Sequence, residues 1–308
     1  MKKRLIITLV VAISIIIAGI LIYFLIFNNN NYKNSKEEDT YTYTPPLYKV
    51  CDEDSCIYVL GTMHIGDERI QKLSDKVYDA YNDSDILAVE VDTTEVTLNI
   101  FDFVAEDDIE STTTEDFRSK LIEFGEENKL FKYESLKYYK IGFIENYIVA
   151  MLYQDLGFSY EGVDSFLLRK AHEEGKDIYS IETMDEQIKF ITDYSDDLYI
   201  NLIEESIDNY DATKEEGKEL YDAYLTGDID KLNELIDLDI NQPIDNGEYE
   251  QYIKDMYDIR NDKMVKKAKE FLNNNDKVLI VVGAAHVITD NGIIEQLKEG
   301  NYKVECIK

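Results

Sequence analysis

The sequence predicts an α/β protein with a central, mainly parallel or mixed sheet flanked by helices. Three observations carry that class. Continuous apolar, β-branched runs recur at residues 57–60, 86–89 and 278–282, the pattern of strands buried on both faces. Segments with apolar residues at helical spacing separate them, so strands and helices alternate. The order strand, Gly-x-x-His, helix, strand occurs near both ends of the domain, with Gly61 and His64 in one copy and Gly283 and His286 in the other. This recurrence suggests two related half-units.

Taken in order, the chain opens with the basic Met1-Lys2-Lys3-Arg4, followed by an uncharged apolar run over residues 5–27. As a helix this run would reach about 35 Å, enough for the hydrocarbon core of a bilayer. The basic cluster orients residues 1–4 to the cytoplasm and the rest of the chain outside. A cleaved signal peptide is the rival reading. The run is longer than a usual signal core, however, and no small-x-small cleavage site follows it. The expectation is therefore an uncleaved single-pass anchor in the cell membrane. Residues 28–46, rich in asparagine and ending in Pro45-Pro46, read as a linker, and residues 47–308 as one extracellular domain.

Within that domain, Cys51 and Cys56 bracket a turn-rich tetrapeptide between two β-like runs. A hairpin disulfide in an oxidising compartment and two free thiols both fit that spacing. After His64, the residues Ile70, Leu73, Val77, Ala80 and Tyr81 are spaced as a helix. The next apolar strand, residues 86–91, is interrupted by Glu90. Either Glu90 is buried, and then paired, protonated or metal-bound, or it is a strand-edge residue facing water. A helix follows Asp164 and ends near Gly175, and a short strand then runs to Glu182. Residues 187–257 are acidic, tyrosine-rich and helical in pattern, with breaks at Gly227 and Pro243. Arg260 begins another helix. No second core is visible, so a single elaborated domain is expected.

The formal charge is −32 and the chain holds only three histidines and five arginines. Such a field repels phosphate backbones, which argues against a nucleic-acid partner, and attracts cations. In open α/β sheets, ligands collect beyond the carboxyl ends of the strands. His64, His286 and Glu182 all fall at such ends. Two imidazoles and a carboxylate make a donor set for a divalent ion such as zinc, manganese or cobalt. The alternative for each histidine is a hydrogen-bonded structural role. His172, in a charged helix end, reads as solvated.

Several stretches resemble the TraB/GumN family, which includes bacterial pheromone-shutdown proteins and the TIKI proteases. The opening motif is Tyr58-Val59-Leu60-Gly61-Thr62-Met63-His64-Ile65-Gly66-Asp67, and the closing one is Val282-Gly283-Ala284-Ala285-His286-Val287 with Asp290 and Gly292. Between them, Gly162-Val163-Asp164, Leu168-Arg169-Lys170-Ala171, Ile181-Glu182-Thr183 and Arg260-Asn261 follow the family's order. Ala285 departs from a position where the family often has glycine.

The resemblance implies a fold like that of erythromycin esterase and the haem-uptake protein ChaN. It implies His64, Glu90 and His286 as the metal-binding or catalytic set, with Glu182 beside them. Arg169, Arg260 and Asp164, with Gly61 and Gly283, would meet the substrate. The expected activity is that of a membrane-anchored, metal-dependent peptidase acting on an extracellular peptide or protein. The alternative is a non-catalytic protein of the TraB type that binds a peptide pheromone.

Overall fold

The computed structural model describes residues 42–94, 99–158, 161–240 and 246–308. The expected anchor at residues 5–27, the stub before it, most of the linker and the break expected at Pro243 lie outside them. Among the described residues no helix is long and apolar enough to cross a membrane.

In chain order the principal elements are β1 (Leu47–Cys51), β2 (Cys56–Thr62), α1 (Asp75–Asp83), β3 (Ile86–Val89), α2 (Glu115–Asn128), α3 (Ile141–Asp155), α4 (Val163–Glu174) and β4 (Asp177–Ser180). Then come α5 (Met184–Thr192), α6 (Asp196–Asp208), α7 (Tyr210–Thr226), α8 (Ile229–Ile240) and α9 (Arg260–Asn274). The chain closes with β5 (Val278–Gly283), α10 (Ala284–Ile288), α11 (Ile293–Glu299) and β6 (Lys303–Cys306). A π-helical turn, Lys254–Ile259, runs directly into α9.

The strands form one sheet in the order β4-β3-β5-β2-β1-β6. β4, β3, β5 and β2 pair parallel, and β1 is antiparallel to both of its neighbours. The sheet is therefore mixed, with β1 the one strand running against the rest. Its centre is β5, in which every residue is buried. Burying each Val, Leu or Ile side chain there contributes about 1.5–3 kcal/mol. The edges are polar: Asp177 in β4 and Lys303 and Glu305 in β6 are exposed, which discourages pairing with another chain.

The two Gly-x-x-His passages differ from one another. The first leads from β2 through α1 to β3, on the β5 side of β2. The second leads from β5 through α11 to β6, at the opposite edge. Gly61 and Thr62 still belong to β2, and His64 follows the strand, whereas Gly283 ends β5 and His286 lies inside α10. The shared sequence pattern thus reports two strand ends side by side, with different local backbones beyond them.

Cys51 and Cys56 face each other at the end of the β1–β2 hairpin and form a disulfide. Asp52 organises the turn by accepting from the Asp54 and Ser55 N–H groups at 2.9 and 2.7 Å. At the end of the expected linker, Tyr43 is buried and its hydroxyl donates to Ile70 O at 2.8 Å. The tyrosine-rich helix α7, which ends at Gly227 as the sequence suggests, ties the helical layer to the first motif. Tyr224 donates to Gly61 O at 3.1 Å, and Tyr221 donates to Asp67 Oδ1 at 2.9 Å while accepting from the Asp67 N–H.

Helix α3 is buried along nearly its whole length and includes Glu145, whose Oε1 is buried without a hydrogen-bond partner. Burial pushes this carboxyl from its ordinary 4.5 up to about 8. Between those two values the folded protein keeps a proton that the unfolded chain has released, so stability falls as pH rises through that window. Glu145→Gln should therefore match the parent near pH 4.5 and exceed it by up to ~4 kcal/mol at pH 8. Urea unfolding at the two pH values checks this, and a difference that does not change with pH would contradict it.

Candidate functional site

Parallel pairing sets Thr62 opposite Gly283 and Val89 opposite both Val281 and Ser180. The carboxyl ends of β2, β5, β3 and β4 therefore open onto one edge of the sheet. That edge is where side chains from distant parts of the sequence meet.

Glu90, one residue past β3, and Glu182, two past β4, are neighbours because the Glu182 N–H donates to Glu90 O at 2.8 Å. Arg260, in the first turn of α9, lies between their side chains. Its Nη2 donates to Glu90 Oε2 at 2.6 Å and to Glu182 Oε2 at 2.9 Å, and its Nε to Glu182 Oε1 at 2.8 Å. Gln187 Nε2 also donates to Glu182 Oε2. The guanidinium carbon lies 5.3 Å from the centre of the Phe190 ring, a cation–π contact. The strand-edge alternative for Glu90 is thereby excluded: it is 1% exposed. Burial raises its pKa against the opposing pull of Arg260 and His64. Burial weakens the Arg260 cation less than Glu182 and Glu90 strengthen it, so its pKa is raised.

The other Glu90 oxygen, Oε1, accepts from the Gly283 N–H at 2.7 Å and stands 3.9 Å from His64 Nε2. On the far side of the ring, His64 Nδ1 lies 3.1 Å from Asp164 Oδ1, outside the alignment of a hydrogen bond. Burial disfavours a charged His64, but the carboxylates of Asp164 and Glu90 outweigh it and raise its pKa. His286 behaves in the opposite way. Burial, Arg260 and His64 all hold its pKa well below the ordinary histidine value. Its Nδ1 is 2.7 Å from Asn261 Oδ1, and its Nε2 is buried without a partner.

Gly283 explains the gap between these groups. A Cβ built on it would lie 3.3 Å from His64 Nε2, 3.5 Å from Glu90 Oε1 and 3.6 Å from His286 Cδ2. The strand ends in glycine, and the space where a side chain would stand is the space the imidazoles and the carboxylate face. Thr62, opposite Gly283 in the register, adds a buried hydroxyl with no hydrogen-bond partner.

A second glycine sets the position of His64. A Cβ on Gly162 would lie 2.2 Å from Met63 O and 2.6 Å from His64 Cα, so only glycine lets α4 start there. The Val163 N–H then donates to Met63 O at 3.1 Å, and Asp164 comes up against the ring.

The structure thus brings together His64, Glu90, Glu182, Arg260, His286, Asp164 and Gly283. Gly61 lies behind them, under Tyr224. Arg169 is elsewhere: it pairs with Glu161 on the exposed side of α4. Of the two residues expected to meet a substrate here, Arg260 is bonded to Glu90 and Glu182, and Asp164 stands 3.1 Å from His64 Nδ1. His172 is exposed, as expected, and lies 3.0 Å from Asp92 Oδ2 while also contacting Thr94 Oγ1. Thr62, Asn261 and Gln187 carried no assigned role in the sequence. The signals for two of these positions were the opening motif, which contains Thr62, and the Arg260-Asn261 pair.

Two orphaned imidazole nitrogens around a glycine gap fit the nitrogen donors of a divalent ion. Among the described residues, no three His, Cys, Asp or Glu side chains form a closed set that could hold one.

These features define a mixed-sheet α/β protein with a buried histidine–carboxylate centre at the carboxyl edge of its parallel strands. The TraB/PrgY/gumN family model matches residues 46–306, and the chain belongs to that family. No curated protein and no solved structure matches it significantly.

Removing Arg260 would leave two buried carboxylates facing one another. Arg260→Leu should destabilise the protein by about 3–5 kcal/mol, the usual effect of breaking a buried pair from one side. The urea midpoint reads this, and a loss below about 1 kcal/mol would show that the cluster is not held as described.

Proposed function

We propose that this chain is a membrane-anchored, metal-assisted peptidase acting on a peptide or protein outside the cytoplasm, with its centre at the gap between His64 and His286. The observation that carries the reading is the pair of buried imidazoles whose Nε2 atoms have no hydrogen-bond partner. They lie beside the carboxylate of Glu90, at the strand ends where α/β proteins bind ligands. His64 Nε2 and His286 Nε2 would hold the ion. Bound there, a manganese, cobalt or zinc ion would polarise a scissile carbonyl and lower the pKa of a water.

The chain's own residues have separable tasks. Arg260 holds Glu90 Oε2, which leaves Oε1 toward the gap as the proton acceptor. Burial raises the pKa of Glu90, the direction that makes a carboxylate a stronger base. With one oxygen on Arg260 and the other on the Gly283 N–H, Glu90 is better placed to take a proton than to coordinate an ion. Asp164 keeps the His64 ring in place. Glu182 acts through Arg260 and does not meet the substrate. The apolar segment at residues 5–27 supports membrane anchoring, and the Cys51–Cys56 disulfide supports an oxidising compartment.

A second reading, a non-catalytic pheromone-binding protein, is favoured by one observation. None of His64, Glu90, Asp164, Glu182, Arg260 and His286 is more than 7% exposed, so a substrate reaches them only after the surroundings open.

Full-length chain purified in detergent and incubated with a fluorogenic peptide library, with and without chelator, separates the two. The peptidase reading predicts cleavage that the chelator stops and manganese or cobalt restores. His64→Ala and His286→Ala should each lower turnover by ~100-fold or more. Peptide binding without cleavage at any metal content would instead establish the binding protein.

A further inference from the structure

The two histidines of the centre are held by chemically different partners, and the one beside His286 fixes which of its nitrogens is free. We infer that Asn261 is a positioning residue that locks His286 in the tautomer with the proton on Nδ1, leaving the Nε2 lone pair directed away from the protein's own donors. This deepens the hydrolase reading, since it rests on that reading for its use but not for its truth.

Hydrogen-bond capacity decides which ring nitrogen carries the proton. Asn261 is 1% exposed, so its amide has no water to turn to. Its Nδ2 donates to Asn291 O at 2.9 Å, and a carbonyl oxygen can only accept. The amide orientation is thereby set, and the group turned toward His286 Nδ1, 2.7 Å away, is the carbonyl Oδ1. An acceptor facing a ring nitrogen at that distance requires the proton on that nitrogen. The neutral ring then has no proton on Nε2.

The acceptor on Asn291 is itself held in place. Gln296 Nε2 donates to the same Asn291 oxygen at 3.1 Å, and the Asn291 side chain donates to Asp258 Oδ1 at 2.7 Å. Residues from the π-helical turn, α9 and α11 therefore brace one amide. Tyr257, from that same turn, lies against the imidazole, with ring centres 5.7 Å apart. Asp164 does not give His64 the same treatment, because its Oδ1 lies 3.1 Å from Nδ1 without forming an aligned hydrogen bond.

The consequence is a division between the two imidazoles. His286 offers a lone pair, and a carboxamide at this position supplies the orienting acceptor without adding a negative charge next to the ring. Orienting partners of this kind typically change ligand affinity or activity by 10–100-fold.

The test is a two-bond proton–nitrogen correlation spectrum of the ¹⁵N-labelled full-length chain in detergent micelles. With three histidines in the sequence, the His286→Gln variant identifies the His286 signals by their loss. Wild-type protein should show His286 with a protonated Nδ1 and an unprotonated Nε2. Asn261→Leu, which removes the acceptor, should move the ring to a mixture or to the Nε2–H form. Asn261→Asp, which keeps an oxygen toward the ring, should retain the proton on Nδ1. A wild-type His286 carrying its proton on Nε2 would overturn the inference, as would an Asn261→Leu ring still purely protonated on Nδ1. Should Asn261→Leu fail to fold, the wild-type spectrum alone decides. The expected tautomer in a protein that cleaves no peptide would leave the inference standing and remove the peptidase reading.

Discussion

The centre of this protein depends on a cation that cannot leave. Arg260 is 3% exposed and carries its charge at any pH a protein experiences. A charge that deep is tolerated only with paired acceptors, and Glu90 and Glu182 supply them from the ends of two adjacent parallel strands. That requirement sets the arrangement of β3, β4 and α9 at this edge, and it fixes which Glu90 oxygen turns toward the imidazoles. Burial, and after it the same positive charge, hold the pKa of His286 well below the ordinary histidine value. One buried ion pair thus orients a carboxylate and sets the character of a histidine.

Around that fixed point, the two Gly-x-x-His strand ends do different work. On the β2 side the motif is held from outside: α7 through Tyr224 and Tyr221, and α4 through the close approach allowed by Gly162. On the β5 side it is built into a short helix and braced by Asn261. Asp164 and Glu90 make His64 the more basic ring. Arg260 and burial make His286 the less basic one. Pairs of titratable groups pushed apart in this way are typical of catalytic centres, and here the separation arises from burial together with Asp164 and Glu90 at one ring and Arg260 at the other.

Much of this was legible in the sequence, because strand ends in parallel sheets are marked by composition. The apolar runs at residues 57–60 and 278–282, each closing on glycine and histidine, gave away the α/β class and the positions of His64 and His286. Glu90 stood out as a charge inside a buried strand. The likeness of the two half-units was overread: the pattern at residues 283–286 enters a helix while that at residues 61–64 does not, and repeated letters do not report backbone direction. Partnerships were the illegible part. Arg260 and Asp164 looked like groups for a substrate because sequence shows a charge without showing what neutralises it. Asn261 and Thr62 are uncharged and common in helices and strands, so nothing in their type marked them. The acidic, tyrosine-rich stretch gave its helices but not its attachment to Asp67 and Gly61, which depends on packing between remote segments.

Under the proposed peptidase reading, the space left by Gly283 is where the protein meets its ligand. Gly283 has φ −52° and ψ 140°, a backbone that alanine adopts without strain, and its N–H to Glu90 survives the change. Gly283→Ala therefore adds one methyl group to the gap, 3.3 Å from His64 Nε2, where the ring need give way only slightly. The measurement is cleavage of the fluorogenic peptide library by full-length Gly283→Ala, alongside its urea midpoint. The account predicts a midpoint close to the parent's and a loss of turnover of ~100-fold or more. Undiminished turnover in a normally folded variant would contradict it.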